Sequence, residues 1–263
     1  MHFVKLDATG NDFVALDLRN RGPNVELPTP QQMELWCNRK RGVGSDGVLV
    51  LRDAEEPAVA YALDFFNPDG SAAFCGNGSR AAFWWARTMG ASAQLVFRAI
   101  DGLHRADAGG PFGCSVSVRC EGTPRATPHG QYIVAGTHHL VILVDTLEEV
   151  LSCDLPTLAR PLRHHADFSP LGVNVNIASM ERDVHGFRAM RTYEKGVECE
   201  TLSCGSGAVA VMQALRVAND DSEEGPERLR APGGELQITI DPEGVTWLSG
   251  AVCMPFKGEF TQA

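Results

Sequence analysis

The chain has 263 residues, 44% of them hydrophobic and 21% charged, the balance of a soluble globular protein rather than a disordered or fibrous one. A formal net charge of −10 excludes a non-specific nucleic-acid binder, which needs a basic surface. No stretch is apolar for long enough to span a bilayer and the N-terminus lacks a signal-peptide core, so a cytoplasmic protein with reduced thiols is expected.

In chain order, residues 3–6 and 13–16 read as the strands of a hairpin, with Gly10-Asn11 as the turn signal. Thr29-Pro30 announces a capped helix over 31–38. Residues 42–47 are a glycine-rich loop, 48–51 and 60–66 are strands, and Asn67-Pro68-Asp69-Gly70 is a turn. Cys75-Gly76-Asn77-Gly78 then leads into a helix over 79–88. Residues 96–99 and 115–119 alternate like strands around Asp101-Gly102. Loop tracts at 109–111 and 122–130 set a boundary between two domains, 1–120 with 253–263, and 121–252. In the second half, 140–145 is a strand, 147–151 a short helix, and 170–177 and 187–193 are strands. The loop opened by Glu194-Lys195-Gly196 ends at Cys204-Gly205-Ser206-Gly207, which leads into a helix over 207–218. The acidic run 220–224 reads as a solvated loop, and 236–240 and 246–248 close the chain as strands.

The Cys-Gly-X-Gly phrase thus occurs twice, each time between a loop and a helix of small and apolar residues, which reads as an internal duplication. A thiol at a helix start lies at the positive end of the helix field, so both thiol pKa values are expected to fall. The backbone N–H groups of Gly76, Asn77, Gly205 and Ser206 are placed to bind a carboxylate or an oxyanion. Together these features suggest two acid/base sulfurs, Cys75 and Cys204, facing a common anionic substrate in a cleft between the domains. The competing reading is two buried thiols at helix starts. The other cysteines, Cys37, Cys114, Cys120, Cys153, Cys199 and Cys253, read as buried small hydrophobes, and none has zinc-site spacing, so no metal is expected.

With these motifs in view the chain resembles the diaminopimelate epimerase family along nearly its whole length. The resemblance rests on Gly10-Asn11-Asp12-Phe13, Gly42-Val43-Gly44-Ser45-Asp46, Phe66-Asn67-Pro68-Asp69-Gly70-Ser71, Cys75-Gly76-Asn77-Gly78-Ser79-Arg80, Asn174-Val175-Asn176, Tyr193-Glu194-Lys195-Gly196, Glu200-Thr201-Leu202-Ser203-Cys204-Gly205-Ser206-Gly207 and Pro232-Gly233-Gly234. It implies an α/β (α+β) fold of two pseudo-symmetric domains, each a β-barrel-like sheet around a central helix. It also implies a small-molecule amino-acid substrate, no pyridoxal or other cofactor, and a chain that can form a homodimer. The chemistry implied is a two-base inversion, in which one sulfur removes an α-proton and the opposite one returns a proton. By the same resemblance, Asn11, Asn67 and Asn174 line the substrate pocket and Glu194 holds an ammonium group. Turn-forming needs alone account equally well for Asn11 and Asn67.

Four departures fall on substrate recognition rather than on the sulfurs. The family's Gly-Asn-Pro-His is Gly136-Thr137-His138-His139 here, which puts Thr137 where an asparagine contacts substrate. Its Glu-Arg-Gly is Glu194-Lys195-Gly196, and a lysine offers a point charge where arginine grips a carboxylate with two hydrogen bonds. Gly47 replaces a common glutamine, and the segment from Asn67 to Cys75 is one residue shorter. The default substrate is diaminopimelate. The alternative is another amino acid, such as histidine, lysine, ornithine or 2,3-diaminopropionate. Other classes weighed are a proline or hydroxyproline racemase relative, a non-catalytic amino-acid-binding homologue, and a phosphate-binding glycine loop. The last lacks the Gly-Lys-Ser/Thr ending of a nucleotide cradle.

Overall fold

A computed structural model of the protein describes residues 1–22, 25–219 and 225–261. The acidic run 220–224 lies outside the described residues. The chain divides into two compact units, Met1–Ser117 with Ser249–Ala263, and Val118–Leu248.

The first unit opens with the antiparallel hairpin of β1 (His2–Ala8) and β2 (Asn11–Asp17). Its turn is Thr9-Gly10, both left-handed at φ 62° and 82°, because Asn11 already pairs with Ala8 as the first residue of β2. Helix α1 (Pro30–Cys37) starts on a capping box, in which the Thr29 hydroxyl accepts from the Gln32 amide and the Gln32 side chain accepts from the Thr29 N–H. Strand β3 (Gly47–Arg52) runs parallel to β2, β4 (Ala62–Phe66) antiparallel to β3, and the short β5 (Ala72–Ala73) antiparallel to β4. Helix α2 (Gly76–Thr88) follows. Strand β6 (Gln94–Ala99) lies parallel to β4 and pairs with β7 (Gly102–Asp107), which pairs in turn with β8 (Ser115–Val118). The partner of 96–99 across Asp101-Gly102 is therefore 102–107, not 115–119. Its inward residues are His104 and Ala106, which carry no apolar alternation to read.

Strand β3 is buried on both faces, which explains its unbroken run Val48-Leu49-Val50-Leu51. Val48 and Val50, with Val14 and Leu16 of β2, pack against Met33 and Trp36 of α1. Alternation turns Leu49 the other way, toward α2. Helix α2 touches β1 through β4 and buries Ala81, Ala82, Phe83 and Ala86 completely. Three alanines let strands approach the helix closely, and Phe83 is its largest fully buried apolar side chain. Truncation of a core Phe to Ala costs about 3–5 kcal/mol in general.

The second unit repeats the plan. Strands β9 (Cys120–Thr127), β10 (Gly130–Ala135) and β11 (Thr137–Val144) form an antiparallel meander. Helices α3 (Leu147–Ser152) and α4 (Leu155–Arg163) then cross over to β12 (Asn174–Ser179), parallel to β11. Strand β13 (Arg188–Glu194) is antiparallel to β12 and to β14 (Cys199–Thr201). Helix α5 (Gly205–Ala218) follows, and β15 (Glu227–Ala231) runs parallel to β13 and antiparallel to β16 (Gly234–Ile240). From β1 to β7 and from β10 to β16, the order and sense of pairing are the same, with the cysteine-led helix at the same point of each series. Strand β17 (Thr246–Gly250) leads out of this unit, and β18 (Cys253–Glu259) pairs with β1.

Helices α3 and α4 cover the outer face of β11–β13 through Leu140, Val150, Leu155, Val175 and Ile177, while α5 packs on β9 to β12 and β16. Two expectations are corrected, and one helix went unread. Residues 122–127 belong to strand β9 rather than a loop; the strand is mostly exposed and polar, with no apolar alternation. Helix α4 was hidden by its prolines, of which Pro156 sits harmlessly in the first turn. Cys199 and Cys253 are exposed, not buried. Among the described residues no helix is long and apolar enough to cross a membrane.

Tyr61 is fully buried, and its hydroxyl has no hydrogen-bond partner among the described residues. Tyr61→Phe should therefore stabilise the protein by about 1 kcal/mol in urea unfolding, the cost of an unsatisfied buried polar group being removed. A loss of stability would show that the hydroxyl is satisfied.

Candidate active site

In the first unit, Cys75 is the N-cap of α2 and is half-buried; its Sγ accepts the Gly78 amide at 3.3 Å. Asn11, on the inward face of β2, places its Oδ1 3.8 Å from that sulfur and accepts from Asn77 Nδ2 at 3.3 Å. Asn11 Nδ2 donates to Asp46 Oδ2 at 2.8 Å, and Asn77 Oδ1 accepts from Arg80 at 2.7 Å. Asp12 anchors the neighbouring loop, bridged by Lys5 (2.6 Å) and Arg39 (2.7 Å), while Arg39 also holds Asp46 (2.7 Å). Burial works against ionisation of Asp12, but the hydrogen bonds from Arg39 and Lys5 outweigh it and hold the carboxyl below its usual range.

In the second unit, Cys204 is the N-cap of α5, and its Sγ accepts the Gly207 amide at 3.4 Å. Ser206 Oγ lies 3.6 Å from the sulfur and 3.1 Å from His139 Nε2. His139 is fully buried on the inward face of β11. Asn176 accepts from Thr192 Oγ1 and donates to the Leu140 carbonyl, which orients its amide so that Nδ2 also donates to His139 Nδ1 at 3.2 Å. The imidazole proton is thereby assigned to Nε2, which donates to Ser206 and leaves that hydroxyl free to donate to the sulfur. Burial above all, with the charges of His138 and Lys195, lowers the His139 pKa to about 3, so the ring is neutral.

Cys204 departs from the expectation of a depressed thiol pKa. Cys204 is buried, and desolvation pushes its thiol well above the ordinary value; the Glu194 carboxylate pushes the same way. The Ser206 and Gly207 hydrogen bonds pull it down, but less strongly. Low polarity thus defeats the helix field, and Cys204 is a protonated thiol at neutral pH.

The second glycine of each phrase is required by space. A Cβ on Gly78 would come within 2.9 Å of Leu49 Cδ2 and 3.5 Å of Cys75 Sγ. On Gly207 it would meet Asn176 Oδ1 at 2.5 Å and Cys204 Sγ at 3.2 Å. Gly76 with Asn77, and Gly205 with Ser206, are the first two residues of their helices, where amides have no carbonyl partner within the helix.

The remaining predicted residues fall as follows. Asn67 Nδ2 donates to Ser71 Oγ at 3.0 Å and so ties its own turn. Thr137 begins β11. Asn174, buried on β12, accepts the Lys195 amide at 2.7 Å. Glu194 ends β13 and accepts from Thr201 Oγ1 at 2.8 Å. Lys195 is partly buried, and burial first, then the nearby Arg163, lowers its pKa. Sequence reasoning assigned no role to His139, Asn176, Thr192, Asp46 or Arg80. The readable signal for His139 and Asn176 was polarity at inward positions of two otherwise apolar strands.

Among the described residues one cluster has the donors for a cation, His129, His165 and Asp167 in the second unit. Asp167 Oδ2 lies 3.4 Å from His129 Nε2 and 3.6 Å from His165 Nδ1. That nitrogen of His165 already accepts the Asp167 amide, and the rings pack edge to face at 4.3 Å, so the cluster is closed on itself. A cavity lined by Arg182, Leu215, Arg216 and Ile238 lies at the C-terminal end of α5, away from Cys204.

A family model for diaminopimelate epimerase matches residues 3–100 and 131–254. A diaminopimelate epimerase from Aquifex aeolicus is 32% identical over 289 residues, covering 100% of this chain and 98% of that protein. One from Gemmatimonas aurantiaca is 35% identical over 264 residues, covering 92% of this chain and 89% of that protein. Among solved structures, a probable proline racemase from Agrobacterium radiobacter K84 superposes with a TM-score of 0.67 at 15% identity, covering 100% of this chain and 93% of that one. This last likeness concerns the fold.

Gly207→Ala should cost about 1–3 kcal/mol of stability in denaturant titration, since the methyl overpacks a site whose neighbours are a polar side chain and a buried sulfur. A change within about 0.5 kcal/mol would show that Asn176 can move aside.

Proposed function

The chain belongs to the diaminopimelate epimerase family, and from that membership we propose that it inverts an amino-acid α-carbon without a cofactor, with diaminopimelate interconverted between its LL and meso forms. The observation that carries this reading is the repeated helix start: two cysteine N-caps, each with its sulfur on a first-turn amide and each followed by two more first-turn amides. We place the protein in the cytoplasm, where thiols stay reduced.

Inversion needs a base on one face of the α-carbon and an acid on the other. Cys204, kept protonated by burial and by Glu194, is the acid of the resting protein. Cys75, more open and on the amide of Gly78, is the base. The Cys75 thiolate takes the α-proton and becomes a thiol, while Cys204 gives its proton to the opposite face and becomes a thiolate; the reverse reaction exchanges the roles. As Cys204 loses its proton, the Ser206 hydroxyl, itself accepting from His139, turns its own hydrogen to the sulfur. The carbanion gains enediolate character, and the amides of Gly76, Asn77, Gly205 and Ser206 are the donors for its carboxylate. Asn11, Asn67 and Asn174 line the substrate, and Glu194 takes an ammonium group.

Thr137 and Lys195 favour a second reading, in which the same chemistry acts on another amino acid. Lys195 is a partly desolvated point charge beside Arg163, a weaker grip on a distal carboxylate than a two-pronged guanidinium. A site built for two hydrogen-bonded ends discriminates strongly by what each end contacts.

Incubation in D₂O with diaminopimelate and no pyridoxal should give α-deuterium by NMR, and Cys75→Ala and Cys204→Ala should each abolish epimerisation. Turnover retained in either variant rules out the two-base scheme, and exchange on a different amino acid alone moves the substrate to the second reading. Lys195→Arg with Thr137→Asn should lower the KM for diaminopimelate about fivefold, the worth of about 1 kcal/mol. An unchanged KM removes the distal-clamp argument.

A further inference from the structure

We propose that His104 is a positioning residue for Cys75: an imidazolium pinned between the Asp101 carboxylate and the Ser117 carbonyl, whose ring face holds Phe74 and so fixes the entry of the chain into α2. Its part in turnover rests on the epimerase reading; the state of the ring and its grip on Phe74 stand apart from that reading.

The start of α2 is weakly specified by its own residues. Gly76 and Gly78 flank Asn77 in the first turn, and glycine restrains the backbone least. The strand leading in, β5, has two residues, Ala72 and Ala73, paired with Phe66 and Phe65 of β4. A helix entry is often fixed by a hydrophobic staple, in which the residue before the N-cap packs on the fourth helical residue. Here those positions are Phe74 and Ser79, and a serine offers a phenyl ring little apolar surface. Phe74 stacks instead on His104 of β7, with ring centres 4.6 Å apart and planes 12° apart. From His104 the stack continues to Phe97 at 5.4 Å and from there to Tyr61 at 5.5 Å, and Phe97 and Tyr61 are fully buried. The residue next to the N-cap is therefore the outer end of a four-ring column rooted in the core.

Both nitrogens of the buried His104 ring are tied, so the ring cannot slide within the column. Nδ1 lies 2.9 Å from the Ser117 carbonyl of β8, and Nε2 lies 2.9 Å from Asp101 Oδ1 in the turn between β6 and β7. A carbonyl and a carboxylate only accept, whereas a neutral imidazole has one donor and one acceptor nitrogen. A neutral ring would set a lone pair against one of these oxygens at hydrogen-bond distance. The ring therefore carries both hydrogens, and each N–H donates. The hydrogen between Nε2 and Asp101 belongs to the ring, because a carboxyl with 26% of its side chain in solvent is solvated as the anion. The carboxylate at hydrogen-bond distance offsets the burial of the cation, and so do the phenyl faces of Phe74 and Phe97, whose negative π-surfaces attract it. The contacts from β6, from β8 and from the chain before α2 are Phe97, Ser117 and Phe74, and none of these is ionisable. In the second unit the residue before the N-cap is Ser203, so this device serves Cys75 alone.

The test begins with nitrogen-15 NMR of the full chain at neutral pH, with the His104 ring assigned through its own backbone. Both ring nitrogens should show the imidazolium pattern. A neutral tautomer overturns the proposal, and this measurement decides even if the variants do not fold. His104→Gln and Phe74→Ala should each speed hydrogen exchange of the amides of residues 76–79 about threefold or more, with the start of α5 unchanged. The double variant should exchange no faster than either single one, since both remove the same contact. Wild-type exchange in the variants, or effects that add, overturns the proposal. In turnover each variant should lower kcat about tenfold and leave KM within about twofold, because a displaced sulfur slows proton transfer without loosening the substrate. An unchanged kcat, whatever the KM, overturns the role. If the wild type epimerises no amino acid while the ring pattern and the exchange rates are as expected, the epimerase reading falls and the positioning of Cys75 stands.

Discussion

Both helix starts are built on one arrangement, a cysteine as N-cap with its sulfur on the amide of the third helical residue. A helix leaves its first four amides without internal acceptors, and Ser, Thr, Asp or Asn usually caps them. Sulfur is larger than oxygen, and it is accommodated because the residue it faces has no side chain. At Gly207 a methyl would be squeezed between the sulfur and the Asn176 amide; at Gly78 it would press on Leu49. Glycine lowers helix stability by up to about 1 kcal/mol relative to alanine, and buried contacts along α2 and α5 offset that cost. The same geometry leaves the amides of the first two helical residues directed outward beside the thiol. Thiol and first-turn amides therefore belong to one local structure.

The same local device sits in two different surroundings. The field of a helix start changes a pKa modestly, whereas full burial changes it by several units, so surroundings decide. Cys204 is enclosed and has Glu194 for a neighbour, and both keep its proton on. Cys75 is only partly buried.

Strand alternation carries the rest of the site. Strands β3 and β12 are covered on both faces, one by outer helices and the other by the cysteine-led helix. In β12, Val175 and Ile177 feed the outer core, while Asn174 and Asn176 occupy inward positions. A buried asparagine in such a strand is tolerable only when its amide is satisfied, as Asn176 is by Thr192, Leu140 and His139. The duplication follows the same logic, since two chains of elements with the same pairing order present the same inward face to the same kind of helix.

The two Cys-Gly-X-Gly phrases, the turns and most of the apolar strands were legible along the chain, because they depend on local chemistry: glycine at a tight approach, an N-cap before an apolar run, alternation over a few residues. Strands β7 and β9 were not, because their residues are polar or exposed and only pairing with a neighbour makes them strands. Nor was the protonation of Cys204, for which the local rule pointed the wrong way. Desolvation is a property of everything packed around an atom, and the partners that bury Cys204 and orient His139, Asn176 and Arg80 come from distant parts of the sequence. The chain by itself determined which atoms could do chemistry and on which local frame; tertiary packing alone decided which of them keeps its proton, because solvent exclusion and charge are summed over neighbours in space rather than in sequence.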